Sequence, residues 1–380
     1  MRRIISVLAF ILFSIVTGLS QIVQIDELRL PKEILGYQVL KCDLHMHTIF
    51  SDGIVWPTVR VNEAISERLD AIAISDHLEY RPRLKEMNVS DTVTRNSAFR
   101  LASKNADNAG LLLIPALEIT KSVPPGHFNA LFIKDADLFV PYINTIKPND
   151  PSTVRAALKE AVRQNAFIFW NHPWYKVKTN ESIWFPIIDS LCNEGYFKGI
   201  EVVNSNRYDP VVLGWVQSKK MTILANTDSH APVSLEKGQY RTMNIVFAKE
   251  RTVESIHEAL LERRSVAYSN NFLYGDKIFL EAIFRSSVKV ETSTNFDKTV
   301  HITFMNNSSL SYNIAIKEAK GFSFGMGKKI LTIPQKGEAA VIMTPTEKFK
   351  KGDKITLDIR VDNLQTGPDT ALKMELSFSL

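Results

Sequence analysis

From residue 41 to about residue 274 the sequence repeats one local pattern: an apolar run of strand length, a short polar block, then a segment of helical character. Residues 71–75, 111–116, 166–170, 199–203 and 221–225 are the buried-strand runs. Between them, Pro57 opens a helix that continues through Val61, Ala64 and Ile65, proline being suited to the first turn. Ser152 reads as the N-cap of a helix over 153–164. Thr252 caps another over 253–264, with Glu254 and Glu258 early and Arg263 and Arg264 late, as the helix dipole prefers. Strand–helix alternation over this length argues for a parallel sheet or barrel.

After Gly275 the texture changes. Residues 279–284, 300–305, 312–316, 339–343, 355–361 and 372–378 alternate apolar and polar side chains, and asparagine and glycine turns separate them. That spacing predicts a smaller β-sandwich. A chain of 380 residues is long enough for two such units, over 41–275 and 276–380, with a lead-in over 21–40.

The polar blocks carry the chemistry. The chain has eight histidines, and six fall in five blocks that each follow an apolar run. The first is Asp43-Leu44-His45-Met46-His47, followed by Asp52-Gly53. Residues two apart in a strand share a side, so His45 and His47 can grip one ion, with Asp52 on the loop beyond. Gly53 permits a tight turn there. Asp43 reads as structural support. Then come Ser75-Asp76-His77, Glu118 with Gly126-His127, Asn171-His172-Pro173, and Asp228-Ser229-His230. Imidazoles and carboxylates gathered from strand ends build multinuclear metal sites. The expected chemistry is metal-assisted hydrolysis. His257 and His301 stand outside the blocks and read as ordinary histidines.

The order DLHMHT, SDG, SDH, E…GH, NHP and DSH resembles the PHP (polymerase and histidinol phosphatase) family over residues 41 to about 274. The resemblance implies a distorted (β/α)7 barrel with up to three metals at the C-terminal strand ends, and cleavage of phosphoesters. Carried over residue by residue, it implies one ion on His45, His47, Glu118 and Asp228. A second would sit on Glu118, His127 and His172, and a third on Asp52, His77 and His230. No ligand position is missing. The implied reaction is attack of a metal-activated hydroxide on a phosphate ester. Mixed imidazole and carboxylate ligation suits Zn, Mn or Fe, in two or three divalent ions. Two alternatives stay open: a metal-dependent hydrolase of an amide or lactone, and a non-catalytic binding protein stabilised by metal.

Arg60, Arg81 and Arg207 follow the blocks or a strand end and are candidate phosphate clamps. Asp76 is a candidate to orient a ligand histidine or to serve as general acid. Asn204, Tyr80, Trp174 and Tyr175 are candidates for the pocket wall. The substrate expected is a small phosphorylated molecule. A formal charge of +5 with scattered basic residues gives no nucleic-acid footprint. Cys42 and Cys192 form no disulfide framework and read as buried apolar residues.

At the N-terminus, Arg2 and Arg3 precede an apolar run over 4–16 and then small residues. This is the order of a secretory signal peptide, over residues 1–20. The run is shorter than a spanning helix needs. The protein is therefore expected to be exported, periplasmic or secreted, with no membrane span after cleavage.

Overall fold

The structure is a computed structural model. It describes residues 27–87, 94–143, 151–236, 238–296, 298–324, 329–350 and 352–379. The expected signal peptide lies outside the described residues, as does the side chain of Ser152. Among the described residues, no helix is long and apolar enough to cross a membrane.

A large mixed sheet forms the centre. Strand β1 (Tyr37–Met46) pairs in parallel with β2 (Ala71–Ile74), and β2 with β3 (Leu112–Ile119). Strand β4 (Phe128–Leu131) breaks the pattern, antiparallel to both β3 and β5 (Phe167–Trp170). Strands β6 (Gly199–Asn204) and β7 (Thr222–Asn226) then continue in parallel. On the other side of β1 lie β8 (Met243–Ala248), β9 (Ser265–Ser269) and β10 (Phe272–Tyr274), each antiparallel to its neighbour. Strands β2, β4, β5, β6 and β7 are buried along their whole length, which explains their largely apolar sequences.

Helices cover this sheet: α1 (Pro57–Ser66), α2 (Ser97–Ala109), α3 (Pro151–Arg163), α4 (Pro186–Asn193), α5 (Pro210–Lys219) and α6 (Val253–Leu261). Pro57, Pro186 and Pro210 each stand in the first turn, after an extended residue. Thr252 caps α6, its hydroxyl accepting from Ser255 N. That helix ends at Leu261, short of the expected Arg264, because Arg263 takes a left-handed φ of 58°.

The expected closed barrel is not formed. Among the described residues no ladder joins β7 to β1 or β8, so the sheet is open at that seam. Side-chain amides take the place of the missing ladder. Asn226 Oδ1 accepts from Leu44 N at 2.8 Å, and Asn244 Oδ1 from Ala225 N at 2.9 Å. Asn244 Nδ2 donates to Cys42 O and Ala225 O. Backbone contact resumes only past the strand ends, where His47 N donates to Ser229 O and Asp228 N to His45 O.

The C-terminal region departs from the all-β expectation. Residues 279–284, expected as a strand, lie in helix α7 (Lys277–Ser287). Phe279, Leu280, Ile283, Phe284 and Ser287 are its buried residues, a spacing that fits a helical stripe. The strands that follow divide between two sheets. Val288–Thr294, Val300–Asn306 and Glu338–Pro345 form an antiparallel sheet with the short Phe322–Ser323. Tyr312–Ala319, Ile330–Ile333, Lys354–Gly367 and Thr370–Ser379 instead extend the central sheet. The link is a parallel pairing of Leu273 with Leu364 and Tyr274 with Gln365. Side chains of both sheets share one core, including Ile302, Phe304, Ile314, Val341, Leu357 and Leu376.

Candidate metal centre

Strands β1, β2, β3, β5, β6 and β7 run in one direction and deliver their last residues to one end of the sheet. Antiparallel β4 starts at that same end, so His127 arrives there from the opposite chain direction. A parallel bridge between His77 and Glu118 continues the β2–β3 pairing past the strands. The result is one cluster containing His45, His47, Asp52, His77, Glu118, His127, His172, Asp228 and His230.

The donor atoms converge. His45 Nε2 and His47 Nε2 lie 3.2 Å apart. Asp228 Oδ1 is 3.2 and 3.0 Å from them, and Glu118 Oε2 is 3.7 and 3.4 Å. A second focus has Asp52 Oδ1 at 3.4 Å from His77 Nε2 and 3.2 Å from His230 Nε2. Glu118 lies between the foci. Its Oε1 is 2.8 Å from His127 Nδ1 and 3.7 Å from His172 Nε2, and its Oε2 is 2.7 Å from His77 Nδ1. Four donors held about 2.1 Å from one ion in a tetrahedron sit about 3.4 Å apart, which these separations bracket. The set Glu118, His127 and His172 is divided here: His127 groups with His77 and Glu118, and His172 with His45 and Glu118.

Three carboxylate oxygens mark what the cluster is suited to hold. Asp52 Oδ1, Glu118 Oε2 and Asp228 Oδ1 are shielded from solvent and have no hydrogen-bond partner. Glu118 as a whole is 0% exposed. Buried carboxylate oxygens facing imidazole nitrogens without a hydrogen bond need positive charge between them. Divalent cations fit this donor set.

Surrounding residues fix the imidazoles. His45 Nδ1 lies 2.8 Å from Glu201 Oε1, so Nδ1–H donates there and Nε2 keeps its lone pair for the centre. His230 Nδ1 donates to the Asp228 carbonyl at 2.8 Å. His47 Nδ1 contacts Ser51 Oγ at 3.3 Å, and Ser51 donates to Asp76 Oδ1 at 2.7 Å. Asp76 also accepts from Thr48 N and Thr48 Oγ1 at 2.7 and 2.6 Å. Asp76 therefore ties down the loop that carries Asp52 and acts on His47 through Ser51. That occupies it as a positioning group, and a free general acid is not what the geometry offers. The same loop packs so tightly that a Cβ on Gly53 would lie 2.8 Å from the His47 backbone.

Two of the ligands adopt left-handed backbone. His172 has φ 28° and Asp228 φ 52°, both in the left-handed region. Glu201 Oε2 holds His172 N at 2.9 Å, and the His45 carbonyl holds Asp228 N at 2.9 Å.

Charge in the metal-free cluster follows from burial and neighbours. Burial acts to raise the Asp52 carboxyl, but the neighbouring His230 and His77 imidazoles outweigh it and hold the group well below its usual range. Burial likewise opposes charge on Asp228 and Glu118. His45 and His47 hold Asp228 down, and His77 and His127 hold Glu118 down. Burial opposes protonation of His45, yet Asp228 and Glu201 push that imidazole up. His77 and His230 are raised in the same way, against burial, by Glu118 and Asp52 and by Asp52 and Asp228. Burial prevails at His127 and lowers it to about 4 despite Glu118.

The three arginines differ from one another. Arg60 is fully buried beneath the centre. Its guanidinium donates to the carbonyls of His47, Ser229 and Ala231 and to Glu63. It is a clamp on the ligand-bearing loops, fully buried and with four of its five N–H donors engaged, and so is not the phosphate clamp expected. Arg81 donates to the Phe50 carbonyl at 2.9 Å and lines a small recess with His77 and Asp76. Arg207 donates to Asn180 and lies over the Trp174 ring at 4.7 Å. Asn204 reaches Glu201 and Asp228 at 3.0 and 3.3 Å. Two exposed tyrosines rim the centre: Tyr80 meets the His77 ring edge-on at 5.9 Å, and Tyr175 meets His172 at 5.0 Å.

Glu201 is the residue sequence reasoning missed. It is fully buried and accepts from His45, His172 N, Asn204 and Asn226. The signal was present: a lone carboxylate inside the apolar strand Gly-Ile-Glu-Val-Val-Asn requires partners. Asp43 takes the supporting role expected of it. It accepts from Thr227 and from Arg241, whose guanidinium also grips Glu67 at 2.5 and 2.6 Å. His257, stacked on Phe132, and His301, beside Asn295, belong to other parts of the molecule.

No protein-family model matches the chain, and no curated protein matches it. Solved structures do. One is a two-domain protein from Bacteroides vulgatus ATCC 8482, described as containing a predicted PHP-like metal-dependent phosphoesterase. It is 35% identical over 93% of this chain and 99% of its own, with a TM-score of 0.82. A putative metal-dependent phosphoesterase from Bifidobacterium adolescentis is 14% identical over 58% of this chain and 95% of its own, TM-score 0.41. Histidinol phosphate phosphatase from Lactococcus lactis, complexed with zinc, histidinol and phosphate, is 16% identical over 60% and 97%, TM-score 0.30. At those scores the last two do not bear on the chemistry. The extent of the first match, together with nine ligand-type residues gathered at one strand end, places the chain in the family of PHP-like metal-dependent phosphoesterases.

Proposed function

We propose that the protein hydrolyses a small phosphate ester, a monoester in preference to a diester, at a centre of two or three divalent ions. The observation that carries this reading is the trio of buried, unpartnered oxygens on Asp52, Glu118 and Asp228, each facing imidazole nitrogens. His45, His47 and Asp228 would hold one ion, Asp52, His77 and His230 another, and Glu118 with His127 and His172 would complete the set. Zn, Mn and Fe suit these donors. Such ions supply Lewis acidity toward phosphate oxygens and lower the pKa of water toward 7.

The chain's own residues prepare the site. Glu201 and the Asp228 carbonyl take up the Nδ1 protons of His45 and His230, keeping both Nε2 atoms basic and aimed inward. Asp76, through Thr48 and Ser51, fixes the loop that presents His47 and Asp52. Arg81, in a recess with His77 and Asp76, and Arg207, paired with Asn204, are the guanidinium groups that would serve a substrate phosphate. Tyr80 and Tyr175 present exposed rings beside His77 and His172. Export is part of the same proposal and rests on the N-terminal sequence pattern alone.

The test is metal analysis of the purified protein joined to phosphate release from p-nitrophenyl phosphate and its bis ester. Glu118→Gln should lose bound metal and turnover together. Full metal content with unchanged turnover in that variant would refute the assignment.

A further inference from the structure

A groove of ≈ 630 Å³ opens where the C-terminal strands join the central sheet. Its size is that of a site for a small ligand. One wall is aromatic. The Tyr208 ring stacks on Tyr274 with centroids 4.2 Å apart and planes 20° apart, and Phe272 follows at 6.1 Å and 17°. Phe272, the outer ring, is 39% exposed. The facing wall is the hairpin of Lys354–Gly367 and Thr370–Ser379, which contributes Arg360 and Lys373 beside Asp362 and Asp369. The Tyr208 hydroxyl is shielded from solvent and has no hydrogen-bond partner, an arrangement that calls for a polar group from outside the chain.

The groove adjoins the metal centre. Tyr208 belongs to a short strand paired with the end of β6, where Arg207 opposes Asn204. Asn204 in turn donates to Asp228. The hairpin is pinned to this side by Gly275 N donating to Gln365 O and by Gln217 donating to Thr366 O.

We propose that this groove binds a neutral carbohydrate, with a sugar ring on the exposed face of Phe272 and hydroxyls shared between Tyr208 and the charged hairpin residues. Two cations against two carboxylates leave no net field to attract a phosphate or another anion. An aliphatic ligand would desolvate four charged groups for no hydrogen bond in return. A sugar combines a flat C–H face for the aromatic wall with hydroxyls that both donate and accept. A nucleobase would also stack, but it offers few groups to the hairpin. The inference does not depend on the phosphoesterase reading, since the groove shares no residue with the proposed metal ligands.

The test is calorimetric titration of the full chain with soluble hexasaccharides of β-1,4-glucose, α-1,4-glucose, β-1,4-xylose and β-1,4-N-acetylglucosamine, with AMP and inorganic phosphate alongside. At least one saccharide should bind saturably. Phe272→Ala should weaken it about tenfold and Tyr208→Phe about fivefold, with metal content unchanged. Tyr208→Phe removes one hydroxyl and keeps the ring, so it decides the matter if Phe272→Ala fails to fold. No binding across the saccharides, saccharide binding indifferent to both substitutions, or Phe272-dependent binding of AMP alone would each overturn the proposal.

Discussion

Replacing Glu201 with Gln probes the metal centre without touching a proposed ligand. The two carboxylate oxygens divide four donors: Oε1 takes His45 Nδ1 and Asn226 Nδ2, and Oε2 takes His172 N and Asn204 Nδ2. A glutamine of the same shape presents one oxygen and one NH₂. If the NH₂ faced His172 N, two donors would confront each other and the backbone could not yield. The amide oxygen therefore stays with His172 and Asn204, and the NH₂ turns to His45 and Asn226. Asn226 is held in place, because its Oδ1 already accepts from Leu44 N and Asn244 Nδ2. Only His45 can respond, by moving its proton from Nδ1 to Nε2, the atom that faces His47 and Asp228. The variant should lose about 10- to 100-fold in metal affinity, about 1.4 to 2.8 kcal/mol. Hydrogen bonds to a charged group contribute about 1.5–3 kcal/mol each, so the melting temperature should fall as well. Competition with a chromophoric chelator measures the affinity, and excess metal should bring turnover back toward the parent level, since no ligand has been deleted. A folded E201Q protein whose metal affinity stays within about twofold of the parent would refute this account of His45.

Three further outcomes follow from the same geometry. Arg60→Ala should destabilise the fold by about 3–5 kcal/mol, read by chemical denaturation, because it strips three carbonyls and Glu63 of a buried partner; an effect confined to KM would contradict the clamp. Asp76→Asn should loosen the 48–53 loop and lower metal occupancy, yet leave the alkaline limb of the pH–rate profile in place, which loss of a general acid would remove. The metal-free and metal-loaded proteins should respond oppositely to pH in thermal melts. In the metal-free protein His45, His77 and His230 are raised above 6.5, so their stabilisation is complete below that value and is lost as pH rises through the folded values. His47, lowered by burial, and His127, lowered to about 4, act in the opposite sense, their contributions falling away as pH drops below 6.5. In the metal-loaded protein protons compete with the ions for the same nitrogens, so stability should fall on acidification. Metal-free melting that rises with pH above neutrality would sink this charge assignment.

The parts of this molecule legible from sequence are those where chemistry restricts the residue type. A multinuclear site needs imidazoles and carboxylates at strand ends, and His45, His47, His77, His172 and His230 stand just there, each after an apolar run. Arg60 failed as a phosphate clamp for a related reason. Its place one turn into α1 is equally suited to reaching out over the opening or back to the carbonyls of His47 and Ser229, and sequence spacing cannot distinguish the two. The run at 279–284 misled because apolar pairs separated by two polar or small residues fit a short strand and a helical stripe alike. Two asparagines bridge the open seam of the sheet. Nothing in the local sequence around Asn226 and Asn244 signals that their amides cross the seam where a ladder would otherwise run. That substitution bears on the site. A side-chain seam leaves the ends of β1 and β7 free to depart from strand geometry, and Asp228, two residues past β7, uses that freedom to reach φ 52° and turn its carboxylate onto His45 and His47. A continuous ladder through Asp228 would require an extended backbone there and would rule out the left-handed turn that delivers this ligand.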